Sequence, residues 1–361
     1  PRLEVEIHLP DGRVLSGPRG AAVGDFLSAI PHDSQLVGAV INGDLRELTF
    51  PVGMDSRVTP VTMSTPDGTR IYRRPLTFLL EMVFADMYPL ATLFIDHSVA
   101  TGGFYCEVKG REPLSVSELG VLKVLMRKFV KDDLPFARKE VPLKEAMDYF
   151  LARGEEDKVQ LLKYRKKNYL TLYSLNERMD YHHGYMVPST KYLQWFDLVP
   201  AGDGFTLLYP SRRNPNELSP TSEYPKLLAT FLQYGDWLEK LGISNVGALN
   251  NAIESGHGDE IVLVSEAFHE QRLAQISRQI ADRIDRSHVI LVAGPSSAGK
   301  TTFSRRLTVQ LLALGISPFP LELDNYFLSR NETPLGEDGK PDFEALEALD
   351  LALLADHLQK L

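Results

Sequence analysis

Gly294-Pro295-Ser296-Ser297-Ala298-Gly299-Lys300-Thr301 decides how the carboxyl-terminal part of this chain is read. It has the spacing G-x-x-x-x-G-K-[ST], and its flanks fit. Upstream, the apolar run His288–Ala293 predicts a short buried parallel strand. Downstream, Thr302–Leu312 has amphipathic helical spacing and stops at Gly315. Strand, glycine loop and helix are together the setting in which such a loop cradles phosphate. Glycines let successive backbone N–H groups turn inward around an anion, and the helix N-terminus adds partial positive charge. Lys300 is placed to reach the β- and γ-phosphates, and the Thr301 hydroxyl to ligate Mg²⁺. The expected ATP contacts are therefore Gly294, Pro295, Ser296, Ser297, Ala298, Gly299, Lys300, Thr301 and Thr302.

A second signal follows in Leu321-Glu-Leu-Asp-Asn-Tyr-Phe327. Pro318–Leu323 predicts another parallel strand, with Asp324 at its carboxyl end, the edge where ligands bind in open α/β sheets. A carboxylate there accepts the proton of an attacking hydroxyl or holds Mg²⁺ through water; the competing reading is a capping Asp in a turn. Tyr326 beside it lines an acceptor site or simply packs. Asp342 contacts an acceptor or caps a helix expected over Phe343–Leu361.

The chain has 361 residues, enough for two or three domains, and an ordinary composition of 43% hydrophobic and 24% charged residues. No apolar run is long enough to span a bilayer and no secretory signal opens the sequence, which excludes a membrane-helix class. A single cysteine, Cys106, forms no internal disulfide and fits a reducing, cytoplasmic setting. The net charge of −9 disfavours nucleic acid unless a local basic patch overrides it. The first residue is Pro1, so a trimmed start is expected. Only two candidate strands accompany the phosphate loop, so the sequence is expected to hold just the first part of a larger P-loop domain.

Four segments are expected. Over 1–64, Leu3, Val5 and Ile7 alternate with Glu4, Glu6 and His8, the period of a half-buried strand, and Asp11-Gly12 supplies a turn. A helix over Ala22–Ile30, strands over Leu36–Ile41 and Arg57–Met63, and a turn at Asn42-Gly43-Asp44 complete a β-grasp pattern. Over 65–212, Ser115-Val-Ser-Glu118 is a capping box opening an apolar-periodic helix, and Pro142–Arg153 is a second helix ended by Gly154. A helical connector spans 213–286, where Leu273, Ile276, Ile280 and Ile284 form one apolar face. The last segment is 287–361. The expected fold class is multidomain α+β followed by α/β. Lys163-Tyr-Arg-Lys-Lys-Asn-Tyr169 interleaves cations and aromatics, either an RNA contact or a solvated helix end.

These motifs carry resemblances to known families. Residues 1–64 resemble the TGS domain at the start of threonyl-tRNA synthetases. Leu76–Leu80, Tyr88-Pro89, Gly103-Phe104-Tyr105 and Val187–Lys191 with Phe196-Asp-Leu198 resemble that family's second, editing domain. That domain carries H-x-x-x-H and C-x-x-x-H. Aligning the flanking motifs puts Arg74 and Phe78 at the first pair and His182 and Met186 at the second, so the resemblance implies the fold without the editing chemistry. The phosphate loop, Leu323-Asp-Asn-Tyr-Phe327, Asp342-Phe-Glu344 and Ala348-Leu-Asp350 are similar to the uridine kinase and phosphoribulokinase family of P-loop kinases. TGS, synthetase-like and uridine-kinase-like domains also occur together in bacterial proteins described as nucleoside or uridine kinases.

That resemblance implies an ATP- and Mg²⁺-dependent kinase acting on a hydroxyl, first the 5′-hydroxyl of a nucleoside such as uridine. Lys300 and Asp324 would be the catalytic residues, Asp324, Tyr326 and Asp342 the acceptor contacts, and Thr301 the Mg²⁺ ligand. Two alternatives stand beside it. One is a kinase for another acceptor, such as a sugar phosphate or pantothenate. The other is a nucleotide-regulated RNA- or tRNA-binding protein using residues 163–169. Histidines 182 and 183 could join His97 or Cys106 on a metal, although none has a ligand spacing.

Overall fold

The computed structural model describes residues 2–99, 102–220, 224–295, 297–336 and 339–360. These form two compact units, Pro1–Ala252 and Ile253–Leu361. The first unit opens with strands β1 (Glu4–His8) and β2 (Val14–Pro18), helix α1 (Val23–Leu27), then β3 (Leu36–Ile41), β4 (Asp44–Arg46) and β5 (Ser56–Thr62). They make one sheet in the order β2-β1-β5-β3-β4, with β1 parallel to β5 and the other pairs antiparallel. Val5, Ile7 and Leu9 point inward with Val23, Phe26 and Leu27, as period-two alternation requires, whereas Leu3 is left exposed. The β3–β4 reversal turns on Asn42 and Gly43 at φ 51° and 95°, the left-handed pair of a tight hairpin. The expected helix over Ala22–Ile30 is shorter than its pattern.

Helix α2 (Pro66–Met87) follows, capped by Thr65, whose Oγ1 accepts from Gly68 N at 3.1 Å. Gly68 is required there: a Cβ would lie 1.9 Å from the Thr62 carbonyl oxygen. The chain continues through β6 (Thr92–Val99), β7 (Gly103–Lys109), α3 (Val116–Asp132), β8 (Ala137–Pro142), α4 (Leu143–Ala152), α5 (Glu156–Lys163), β9 (Tyr169–Leu175), β10 (Arg178–Asp180), β11 (Asp197–Ala201) and β12 (Gly204–Leu208). Two antiparallel sheets result, β11-β12-β7-β6 and β10-β9-β8. Ser115 and Glu118 make the expected capping box reciprocally, the backbone N–H of each bonding the other's side chain. The main core gathers Phe78, Leu79, Leu80 and Phe84 of α2 with Leu119, Leu122 and Met126 of α3 and Phe196, Phe205 and Leu207. Cys106 lies in this core, its thiol pushed up to about 12 by burial, so it behaves as a small hydrophobe. Helices α6 (Pro225–Lys240) and α7 (Val246–Glu254) come next.

The second unit packs α8 (Gly258–Ala281) on α9 (Lys300–Ala313). Leu273, Ile276 and Ile280 meet Phe303, Leu307 and Leu311, which supplies the partner their spacing demanded; Ile284 stays 40% exposed. The expected α/β sheet is a correction. Among the described residues neither His288–Ala293 nor Pro318–Leu323 is a strand, and Val289, Leu291 and Phe319 are 65%, 87% and 68% exposed. An extended segment is held by ladder bonds and a buried face, and these runs have neither. The helix expected over Phe343–Leu361 is likewise confined to α10 (Leu351–Lys360). Its start is set by Asp350, whose Oδ1 accepts from Leu353 N at 2.9 Å, while Asp342 accepts from Glu344 N at 3.0 Å in a local turn. Among the described residues no helix is long and apolar enough to cross a membrane.

Candidate functional site

The phosphate-type loop keeps its turn without its strand. Ser297 and Gly299 take φ 60° and 81°, and Gly299 hands the chain into α9 at Lys300. Ser296 lies outside the described residues. Gly294, Pro295, Ser297, Ala298, Gly299, Thr301 and Thr302 are exposed. The Lys300 ammonium donates to the Gly294 and Pro295 carbonyls at 2.9 and 3.0 Å, folding over the loop. Asp324 stands exposed in a 3₁₀ turn, Leu323–Tyr326, and no hydrogen bond or ion pair joins it to the loop among the described residues. Tyr326 is buried and its hydroxyl pairs with His357 Nδ1 at 2.8 Å. The structure thus brings the loop residues together but links neither Asp324, Tyr326 nor Asp342 to them by a described bond.

In the first unit a polar cluster forms where the four aligned editing positions converge. Phe78 on α2 packs against His182 in a tilted pair, 5.2 Å between ring centroids, Met186 is buried, and Arg74 Nη1 donates to Tyr185 O at 3.1 Å. Two acids the sequence reading missed join this histidine: Glu81, one turn along α2 from Phe78, and Asp180, at the end of β10. Ligand-type atoms of Glu81, Asp180 and His182 all lie within 4.8 Å of one another. Lys158 on α5 donates to both Asp180 oxygens, at 2.7 and 2.8 Å. Its ammonium also lies 2.9 Å from Glu155 Oε2, a charge contact rather than a directed hydrogen bond. His97 and Cys106 take no part. His97 instead stacks on Phe231 and pairs with Asp96.

Burial governs the electrostatics of this cluster. It pushes Glu81 up to about 8, with the Asp180 charge adding to the effect. It would raise Asp180 too, but the Lys158 ammonium, His182 and hydrogen bonds hold that carboxyl below its ordinary value. His182 is pushed by burial down to about 4, so its ring is neutral at physiological pH. Its Nε2 is buried without a hydrogen-bond partner. Glu81 and Asp180 belong to distant parts of the sequence, and only the D-x-H spacing of Asp180 and His182 was a local clue.

The basic run spans the end of α5 and the start of β9. Lys163, Lys166, Lys167, Asn168 and Tyr169 are exposed. Tyr164 is turned in, its hydroxyl donating to Asn251 Oδ1 at 2.8 Å, and Arg165 Nε caps the Tyr169 carbonyl at 2.9 Å. Three ammonium groups therefore remain on the surface, that of Lys167 lying 5.6 Å over the centroid of the exposed Tyr169 ring.

No protein-family model matches the chain. It is 28% identical over 198 residues to a threonine–tRNA ligase of Geobacter sp. (strain M21), covering 54% of this chain and 31% of the ligase. It is 26% identical over 206 residues to the threonine–tRNA ligase of Thermotoga maritima, covering 56% and 32%. With threonine–tRNA ligase 2 of Bacillus subtilis it shares 27% over 198 residues, 54% of this chain and 31% of the ligase. The chain thus spans about a third of the length of these relatives. Homology to threonyl-tRNA synthetases over about half the chain agrees with the resemblance drawn for its amino-terminal segments. The same similarities correct the expectation of a nucleoside or uridine kinase. The relatives are tRNA ligases rather than phosphotransferases, and they favour the RNA-binding alternative.

Proposed function

We propose that this protein binds tRNA through its synthetase-like region and that a nucleotide on the glycine loop regulates the binding. The similarity to threonine–tRNA ligases over 198 residues carries this reading. The mixed sheet of residues 4–62, with β1 parallel to β5, supports assigning residues 1–64 as a TGS-like β-grasp domain, and 65–212 as the editing-type domain. Arg74, Phe78 and Met186 replace three of the four editing side chains, so recognition without the family's histidine-based hydrolysis is the proposed role. Lys163, Lys166 and Lys167 would take phosphates and Tyr169 would stack a base, since such contacts need exposed ammonium groups beside an aromatic face.

The loop supports ATP and Mg²⁺ as the regulating ligand. Its αL Gly299 at the start of α9 leaves the Lys300 and Thr301 N–H groups free of helical partners, the usual anion site. Lys300 would leave the Gly294 and Pro295 carbonyls for the phosphates, and Thr301 would hold the metal.

Filter binding of full-length protein to tRNA transcripts over a range of salt tests the reading. The triple variant K163Q/K166Q/K167Q is expected to weaken binding at low salt and to flatten the log–log salt dependence by about 2. Equal affinity and slope in the variant would remove this surface from the interface. No binding of tRNA by the unmodified chain would reject the function.

A further inference from the structure

We propose that Glu81, Asp180 and His182 form a binding site for a divalent transition-metal cation in the first unit. Three observations on different elements meet here. The side chains come from α2, the end of β10 and the segment after it, yet their ligand atoms fall within 4.8 Å of one another. Ligands bound about 2 Å from a tetrahedral ion sit about 3.4 Å apart, so closure asks for a side-chain movement of about 1 Å. Asp180 is 2% exposed, which separates this group from the acidic surface clusters that carry no ion. The third observation is the orphaned Nε2 of His182. A buried imidazole nitrogen without a partner loses its water and gains nothing in return, and such an atom calls for a ligand.

The donor set selects the ion. Two carboxylates and one imidazole, with no thiolate, suit Zn²⁺ or Mn²⁺; the nitrogen disfavours Ca²⁺ and Mg²⁺, and the lack of sulfur disfavours Cu(I). Three protein ligands leave a coordination position for water.

Lys158 is the competitor. Its ammonium now neutralises Asp180 at 2.7 and 2.8 Å, and it keeps a second partner in Glu155 at 2.9 Å. A cation entering between Glu81 and Asp180 would displace Lys158 towards Glu155 without leaving that ammonium unpaired. The site is therefore a choice between a built-in cation and an external one, and removing Lys158 should favour the external one. This inference is independent of the tRNA reading and stands or falls separately.

The experiment uses the full chain, stripped with chelator and titrated with Zn²⁺ by calorimetry, alongside E81Q, H182Q and K158Q. The expected result is one equivalent bound by the unmodified chain, affinity lowered at least about tenfold in E81Q and H182Q, and raised in K158Q. Thermal melts without metal establish that each variant folds. Should a variant fail to fold, X-ray absorption of the zinc-loaded unmodified protein decides, with nitrogen and oxygen neighbours and imidazole scattering expected. The proposal is overturned by the absence of stoichiometric binding, by unchanged affinity in both folded ligand variants, or by a zinc spectrum without imidazole.

Discussion

Residues 4–209 and the second unit answer the same kind of sequence signal in opposite ways. In the first region, apolar periodicity ends in three sheets and in a core where Phe78, Leu79 and Phe84 are 0–1% exposed. In the second, the apolar run ahead of the glycine loop is as hydrophobic as a buried strand, yet it forms no strand and leaves Leu291 87% exposed. A helix satisfies its own backbone, so α9 forms beside the loop wherever α8 covers its face. A parallel strand depends on neighbours for every ladder bond. The glycine motif thus specifies a turn and a helix start locally, but not a sheet.

Phe78→Ala is expected to cost about 3–5 kcal/mol in denaturant unfolding, because it empties a buried site in the main core. Leu291→Ala, of similar chemistry but exposed, is expected to stay within about 0.5 kcal/mol. A large loss at Leu291 would break the comparison. Gly68→Ala should cost about 1–3 kcal/mol, since its Cβ would lie 1.9 Å from the Thr62 carbonyl oxygen. Ser115→Ala removes half of the α3 capping box and should cost about 1 kcal/mol.

Acidity sharpens the comparison further, since a strongly displaced carboxyl needs a formed fold. Glu81 is raised from 4.5 to about 8 in the folded state. Its contribution is fully present below pH 4.5 and is lost as the pH rises towards 8, because the unfolded chain ionises this acid in that window while the folded protein still holds it protonated. E81Q stays neutral, so in metal-free buffer its melting temperature should gain on that of the unmodified chain between pH 5 and pH 9. A constant difference across that range would contradict the assigned burial. Glu118 runs the other way. Its carboxylate is held down to about 2, chiefly by the Ser115 N–H and then by Arg111 and the Ser115 hydroxyl, so its stabilising effect is present above pH 4.5 and fades as pH falls towards 2.

Much of the first region was legible from local pattern. Val5 and Ile7 alternate, Asn42-Gly43 turns, and Ser115 with Glu118 caps, each through atoms a few residues apart. Leu273, Ile276 and Ile280 announced a buried face and found α9. The polar cluster was hidden for the converse reason: Glu81 and Asp180 are neighbours only after α2 and β10 pack, and the one local clue was the D-x-H spacing of Asp180 and His182. Asp342 looked like a helix cap because an apolar run follows it. Asp350 takes that part, since α10 begins only at Leu351. The kinase reading rested on a motif whose helix forms and whose strands do not, and the ligase relatives redirect it to RNA.

Hydrogen exchange of this chain, with and without a tRNA transcript at low salt, tests whether tRNA binds at the basic run. Slowed exchange is expected across residues 163–169 and the adjoining ends of α5 and β9. Binding with no change there, or no binding at all, would contradict binding at this run.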